Sequence, residues 1–265
     1  MATAAAHWDG RSVSIGRVFS RAFGTIRSHP VATLGISFLF GALPWLPFTY
    51  GLQPLWVESF SSPGGVAMIA IFSGFVAILL AMLTQGALVR ATVACSEGRK
   101  ASFGESAMAG LCAAPPLFLL GLGSALGIAT GLVVLIVPGV MLYLMWSVAA
   151  PALVEERLGP TGALGRSNDL TDGARWKIFA ISLFILALYL LISALIPMLN
   201  VWWYGEVLVL TASDIPWIQL RNLLIDLVAK TVVSAVWGVV QTSLYVELRD
   251  RKDGPRSEKL AEIFG

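Results

Sequence analysis

Charge is what this chain lacks. Only 13% of its 265 residues are charged, against about 25% in an ordinary soluble domain. Apolar residues make up 57%, and mean hydropathy is +0.78. So few polar side chains cannot cover a water-facing surface of this size. A soluble single-domain enzyme and a disordered chain are therefore excluded. Cysteine and histidine are equally scarce, two of each: Cys95, Cys112, His7 and His29. That supports neither a disulfide framework nor a cysteine/histidine metal cluster, and no cofactor is expected. A net charge of +2 is too small for a nucleic-acid footprint. The start, MATAAAHWDGRS, has no basic stretch leading into an apolar run, so no cleaved signal peptide is expected. G-x-S-x-G, G-x-x-x-x-G-K-[ST] and H-E-x-x-H are all missing.

What is present is a series of long apolar runs. A membrane helix needs roughly 20 mostly apolar residues. Six stretches qualify: Val31–Tyr50, interrupted by Pro44 and Pro47; Gly65–Val89; Pro116–Val137; Gly139–Val154, set off by a break at Pro138-Gly139; Trp176–Leu199; and Leu223–Val246. The runs are continuous rather than alternating, so an all-α polytopic membrane bundle is expected rather than a barrel.

The few charges are placed unevenly. Of the 18 basic residues, all but Arg221 and Lys230 fall before the first run, after the second, after the fourth or in the tail. Positive charge marks the cytoplasmic side. The expected protein is therefore a multi-pass inner (plasma) membrane protein with both termini cytoplasmic. Glu58, Glu206 and Asp214 fall on the outer side, and Trp202, Trp203, Tyr204 and Trp217 in the last outer loop suit an interfacial aromatic belt.

A threefold repeat underlies the runs. Gln85, Trp146 and Gln241 each lie thirteen residues before a glycine, namely Gly98, Gly159 and Gly254. Ile15-Gly16-Arg17, Phe103-Gly104-Glu105 and Leu164-Gly165-Arg166 follow Gly10, Gly98 and Gly159 at matching offsets. Three units are expected, at 13–97, 98–158 and 159–253, with 254–265 as a cytoplasmic tail. Each would be an interfacial amphipathic helix followed by a membrane hairpin. In Ser14–Arg27 the apolar residues share one helical face, opposite Arg17 and Arg21. Ser102 with Glu105 forms a capping-box pattern for the second unit. The third begins at Thr161, with Gly173 as its stop. SEKLAEIF, capped by Ser257, would form a short tail helix. Such basic amphipathic helices seat a bundle at the headgroup level. Arg17, Arg21, Arg27, Arg166, Arg175 and Lys177 are the candidate headgroup contacts, and anionic membrane lipids the expected partners.

Three stretches carry a family resemblance: TQGALVRATVACSEGRKASFGES, IVPGVMLYLMWSVAAPALVEERLGPTGALGRSNDLTDGARWKIF and SLYVELRDRKDGP. Pro138-Gly139, Pro151, Arg166-Ser167 and Leu248-Arg249 fit the pattern. From about Val13 to Gly254 the chain resembles the membrane domain fused to some bacterial glycerophosphodiester phosphodiesterases, and related stand-alone six-helix proteins. In the fused enzymes a separate soluble barrel performs the hydrolysis. The resemblance therefore implies a membrane bundle and transfers no catalytic residue.

The informative polar residues lie inside the membrane runs. Lys230 is deep in the last run, with Asp226 one turn earlier, where a charge costs at least about 2.5 kcal/mol. At i,i+4 the two fall on one face and can pair, with Lys230 reaching outward. Gln241 and Gln85 occupy matching places nearer the cytoplasmic end. These four form a candidate polar intramembrane site. Gly123, Gly127 and Gly131 make a small-residue stripe for close helix packing, within the bundle or against a second copy. Pro44-Trp45-Leu46-Pro47 is expected to kink the first helix. Glu155-Glu156 beside Arg157 reads as a solvated charge cluster, and His29 as an interfacial cap.

The function expected is non-enzymatic: a membrane accessory or scaffold whose basic rim contacts lipid headgroups, with or without a protein partner. The alternative is a transporter or flippase-like protein for a small amphiphile, using Asp226 and Lys230. A cavity reaching Lys230 would favour that alternative, and tight pairing of Lys230 would count against it. A third reading, a membrane enzyme of glycerophospholipid metabolism, requires convergent carboxylates or histidines.

Overall fold

The computed structural model describes residues 13–46, 62–96, 103–204 and 216–254, and among these no strand occurs. Helix α1 (Ile15–Ser28) starts at Ser14, whose hydroxyl accepts from the Arg17 N–H at 3.4 Å, satisfying an otherwise open donor. It buries Val18, Ala22 and Thr25 on one face. His29 ends α1, and Pro30 opens α2 (Pro30–Ile36), where its missing N–H costs nothing.

The chain then widens into a π-helical segment, Ser37–Ala42, in which the Leu43 N–H donates to the Phe38 carbonyl at 2.8 Å. The kink expected at Pro44 thus takes the form of a widened turn just ahead of the proline, which has no N–H to continue the ladder. Seven α-helical and six π-helical residues rise roughly 20 Å, short of the roughly 30 Å of a bilayer's hydrocarbon. The expected first span to Tyr50 is thus described only in its first part. That part is a short apolar helix over Pro30–Ala42, and residues 47–50 lie outside the described ones.

Among the described residues, five stretches are long and apolar enough to cross a membrane. They are α3 (Pro63–Ser96); α5 (Ala114–Val134); α6 (Ile136–Met145) continued by α7 (Ala149–Glu156); α9 (Arg175–Tyr204); and α10 (Pro216–Asp253). The chain is a multi-pass helical membrane protein. Its outward surface agrees: α9 exposes Leu183, Phe184, Leu190 and Leu191, and the α5–α6 turn exposes Val133, Val134, Leu135 and Ile136. Such a surface is stable against lipid and not against water.

Other boundaries are corrected. The break between the third and fourth runs falls at Leu135, which is extended (φ −159°, ψ 140°), not at Pro138-Gly139. Pro138 sits in the first turn of α6, where its lost donor is harmless. Gly139 is reserved for packing: a Cβ on Gly131 would come within 2.9 Å of the Gly139 Cα, so the hairpin closes glycine on glycine. The last outer loop starts later than expected, because α9 continues through Trp202, Trp203 and Tyr204. Trp202 is 76% exposed.

Two shorter helices complete the fold. α4 (Phe103–Cys112) carries an exposed, free Cys112. α8 (Pro160–Thr171) has its N-cap at Gly159 rather than starting at Thr161. Gly173, at φ +72°, makes the turn into α9. The capping Ser102 and the tail helix lie outside the described residues. α1 packs on the C-terminal part of α10, α4 on α3 and α8 on α7. The core is mainly alanine, valine, leucine and isoleucine gathered at that charged end, including Leu88, Val148, Leu170, Val239 and Leu248.

Candidate functional site

The helices enclose a partly open cavity of about 840 Å³. α10 supplies one wall through Asp226, Lys230, Val233, Ser234, Trp237 and Gln241. Their spacing keeps them on one face of a helix. From Asp226 to Gln241 that face runs roughly 22 Å at 1.5 Å per residue. α3 contributes Leu80, Thr84 and Gln85; α5 contributes Leu120, Ser124 and Ile128; α9 contributes Ile185, Tyr189 and Ser193. Gly41 of the π-helical segment also lines it. A Cβ at Gly41 would lie 2.7 Å from the Ser234 Oγ, so only glycine lets this segment approach α10 so closely.

Asp226, Lys230, Gln85 and Gln241 thus all reach one cavity. Lys230 Nζ donates to Asp226 Oδ2 at 2.8 Å, and their side chains are 35% and 36% exposed. The ammonium also lies 5.6 Å from the centre of the Trp45 ring, a favourable cation–π position. Asp226 and Lys230 are the only carboxylate and the only cationic side chain among the described lining residues, and they cancel. The cavity is therefore net neutral, with a dipolar station towards the N-terminal end of α10. A second polar station, towards the C-terminal end, is made of Gln85, Gln241, Thr84 and Ser147. There Thr84 donates to the Leu80 carbonyl at 2.8 Å and Ser147 to the Leu144 carbonyl at 2.9 Å. Gln85 is 4% exposed, and its Nε2 donor has no partner.

Sequence pairing missed Trp45, Trp146, Tyr143 and Tyr189 as cavity wall. The signal that bore on Trp146 is its repeat position: Gln85, Trp146 and Gln241, the three residues thirteen before a glycine, all line the cavity.

The candidate headgroup residues are placed otherwise. Arg17 pairs with Glu247 at 2.7 Å, and Arg21 lies 4.0 Å from Glu247 and 3.7 Å from Asp250. Lys177 Nζ donates to the Val13 carbonyl at 2.9 Å. Arg166 donates to both Glu156 oxygens at 3.0 Å and pairs with Asp253. Burial works against the Arg166 charge, but its hydrogen bonds to Asp253 and Glu156 prevail and hold the guanidinium above its ordinary pKa. Arg175 reaches Asn168 at 3.3 Å and Asp172 at 3.7 Å. Arg27 is exposed at the end of α1. Glu156 corrects an expectation: it accepts from Arg166 and from the Tyr245 hydroxyl at 2.9 Å, so it joins helices rather than facing solvent. No group of three histidine, cysteine or acidic residues suited to a metal occurs among the described residues.

Of the glycine stripe, Gly131 meets Gly139 and Gly127 meets Trp146, whereas Gly123 faces open space. Comparison of the chain with protein-family models, with curated proteins and with solved structures finds no match.

Proposed function

We propose that this protein is a non-catalytic membrane protein that admits a small amphiphile to its central cavity and carries or presents it. The observation that carries this reading is a cavity of about 840 Å³ with mostly apolar walls and two polar stations. That size and lining suit one drug-sized amphiphile. Lys230 reaches the cavity, which favours an amphiphile carrier. Its tight pairing with Asp226 at 2.8 Å counts against a carrier that uses Lys230 as a free charge, so the station guides a polar group as a dipole and does not trap an anion.

Two features support entry from the bilayer. α9 lines the cavity on one side and exposes apolar side chains such as Leu183, Leu190 and Leu191 on the other, so it stands between the cavity and lipid. The π-helical segment opposite Ser234 lies at the cavity wall, and such segments occur frequently at functional sites. A scaffold acting through a basic rim has less support, because Arg17, Arg21, Arg166 and Lys177 are engaged by their own chain.

The reading extends to architecture. The docking of α1 on α10, α4 on α3 and α8 on α7 suits three repeat units closed into a ring, with Gln85, Trp146 and Gln241 facing its middle. In that arrangement the short Pro30–Ala42 helix stands as the first arm of a sixth crossing, and the charged end is cytoplasmic. The resemblance to the phosphodiesterase membrane domain belongs to the same proposal, as a bundle that handles lipid without hydrolysing it.

Native mass spectrometry of the full chain in gentle detergent tests the function. One amphiphile per chain should survive delipidation and be lost when Ala81→Trp fills the cavity. A ladder of weak lipid adducts, unchanged by that substitution, would count against it.

A further inference from the structure

Resting on the proposed amphiphile cavity, we infer that its ligand carries an uncharged, oxygen-rich polar group, such as an ester or amide carbonyl, which accepts a hydrogen bond from Gln85. Among the described cavity-lining side chains, Gln85 is the one with a buried polar atom that lacks a partner. Its neighbours Thr84 and Ser147 spend their hydroxyl protons on helix carbonyls, so the amides of Gln85 and Gln241 are the donors left at that end, and of the two Gln85 Nε2 is the buried, unpartnered one. A Cβ on Gly238 would lie 3.1 Å from Gln85 Oε1, so the bare glycine leaves room for the amide against α10. Nε2 is buried as it stands, and rotation about the last side-chain bond, which is soft, would turn it towards the cavity.

A buried donor without an acceptor is costly, and a ligand oxygen removes that cost. A phosphate fits badly here. Among the described lining residues no cationic side chain lies at the Gln85 end, and a desolvated anion held only by amides is strongly disfavoured. At the other end Lys230 is already neutralised by Asp226 at 2.8 Å, so an incoming anion would meet a carboxylate as well as an ammonium.

The test compares three amphiphiles with the same acyl chain: monoacylglycerol, lysophosphatidylcholine and lysophosphatidate. Each is titrated against the full chain in detergent, using the change in tryptophan fluorescence. Monoacylglycerol should bind tightest. Gln85→Met, which keeps the length and removes the donor, should weaken it roughly threefold to tenfold while the melting temperature shows the fold intact. Tighter binding of either phosphate-bearing probe overturns the inference and leaves the cavity reading standing. So does unchanged monoacylglycerol binding in folded Gln85→Met. If none of the three binds, the cavity reading fails with it.

Discussion

Arg17 at the start of α1 lies 2.7 Å from Glu247 near the end of α10, joining the two ends of the described chain. The arginine side chain is 58% exposed, whereas that of glutamate is only 9% exposed. The contact is therefore asymmetric: its main effect is to neutralise a buried carboxylate, which also faces Arg21.

That asymmetry predicts unequal mutants. Arg17→Ala leaves Arg21 alone beside a buried charge and should cost roughly 1–3 kcal/mol. Glu247→Gln removes the charge that needs neutralising and should cost less. Thermal melts in detergent check this. Equal, negligible shifts would show a solvent-screened surface pair.

Arg166 ties three helices, because Glu156 ends α7, Asp253 ends α10 and Arg166 itself lies in α8. Arg166→Gln leaves two carboxylates facing the same gap. It should lower the melting temperature further than Arg175→Gln, whose partner Asp172 is largely exposed. A larger effect at Arg175 would refute this ranking.

The glycine stripe divides by position. Gly131→Ala drives a Cβ towards the Gly139 Cα and should cost roughly 1–3 kcal/mol. Gly123→Ala meets nothing within 4 Å and should be neutral, or stabilising through helix propensity. Melts of the two variants side by side decide it. Equal losses would place Gly123 in an intermolecular contact instead.

Lys230→Met strands Asp226 in the cavity wall, where a lone charge at membrane depth costs roughly 2.5–3.5 kcal/mol. The double variant Asp226→Asn with Lys230→Met should be more stable than Lys230→Met alone. Strict additivity in that cycle would show that the two side chains do not depend on each other.

The helical membrane class was legible because hydropathy is set by composition, and a bilayer leaves few alternatives for an apolar backbone. The Asp226–Lys230 contact was legible because both residues share one helix and i,i+4 fixes their distance. Boundaries were less so. Pro138-Gly139 looks like a break by residue type, yet a proline in a first turn continues a helix, and the chain breaks at Leu135. The roles of Arg17 and Arg166 were hidden for another reason. Their partners Glu247 and Asp253 are distant in sequence, and a basic helix face has the same pattern whether it meets phosphates or its own carboxylates. The cavity depended on side chains from five or more helices, which no local pattern encodes; only the shared offset of Gln85, Trp146 and Gln241 hinted at convergence.

Photo-crosslinking in proteoliposomes tests the central claim most directly. A monoacylglycerol bearing a photoactivatable group in its chain is incorporated with the full protein, irradiated, and the labelled residues are mapped. The account predicts label on the cavity wall, at Ile185, Tyr189, Val233 and Trp237, suppressed by excess unlabelled monoacylglycerol. Label confined to the exposed Leu183, Leu190, Leu191 and Val228, and indifferent to competitor, would contradict it.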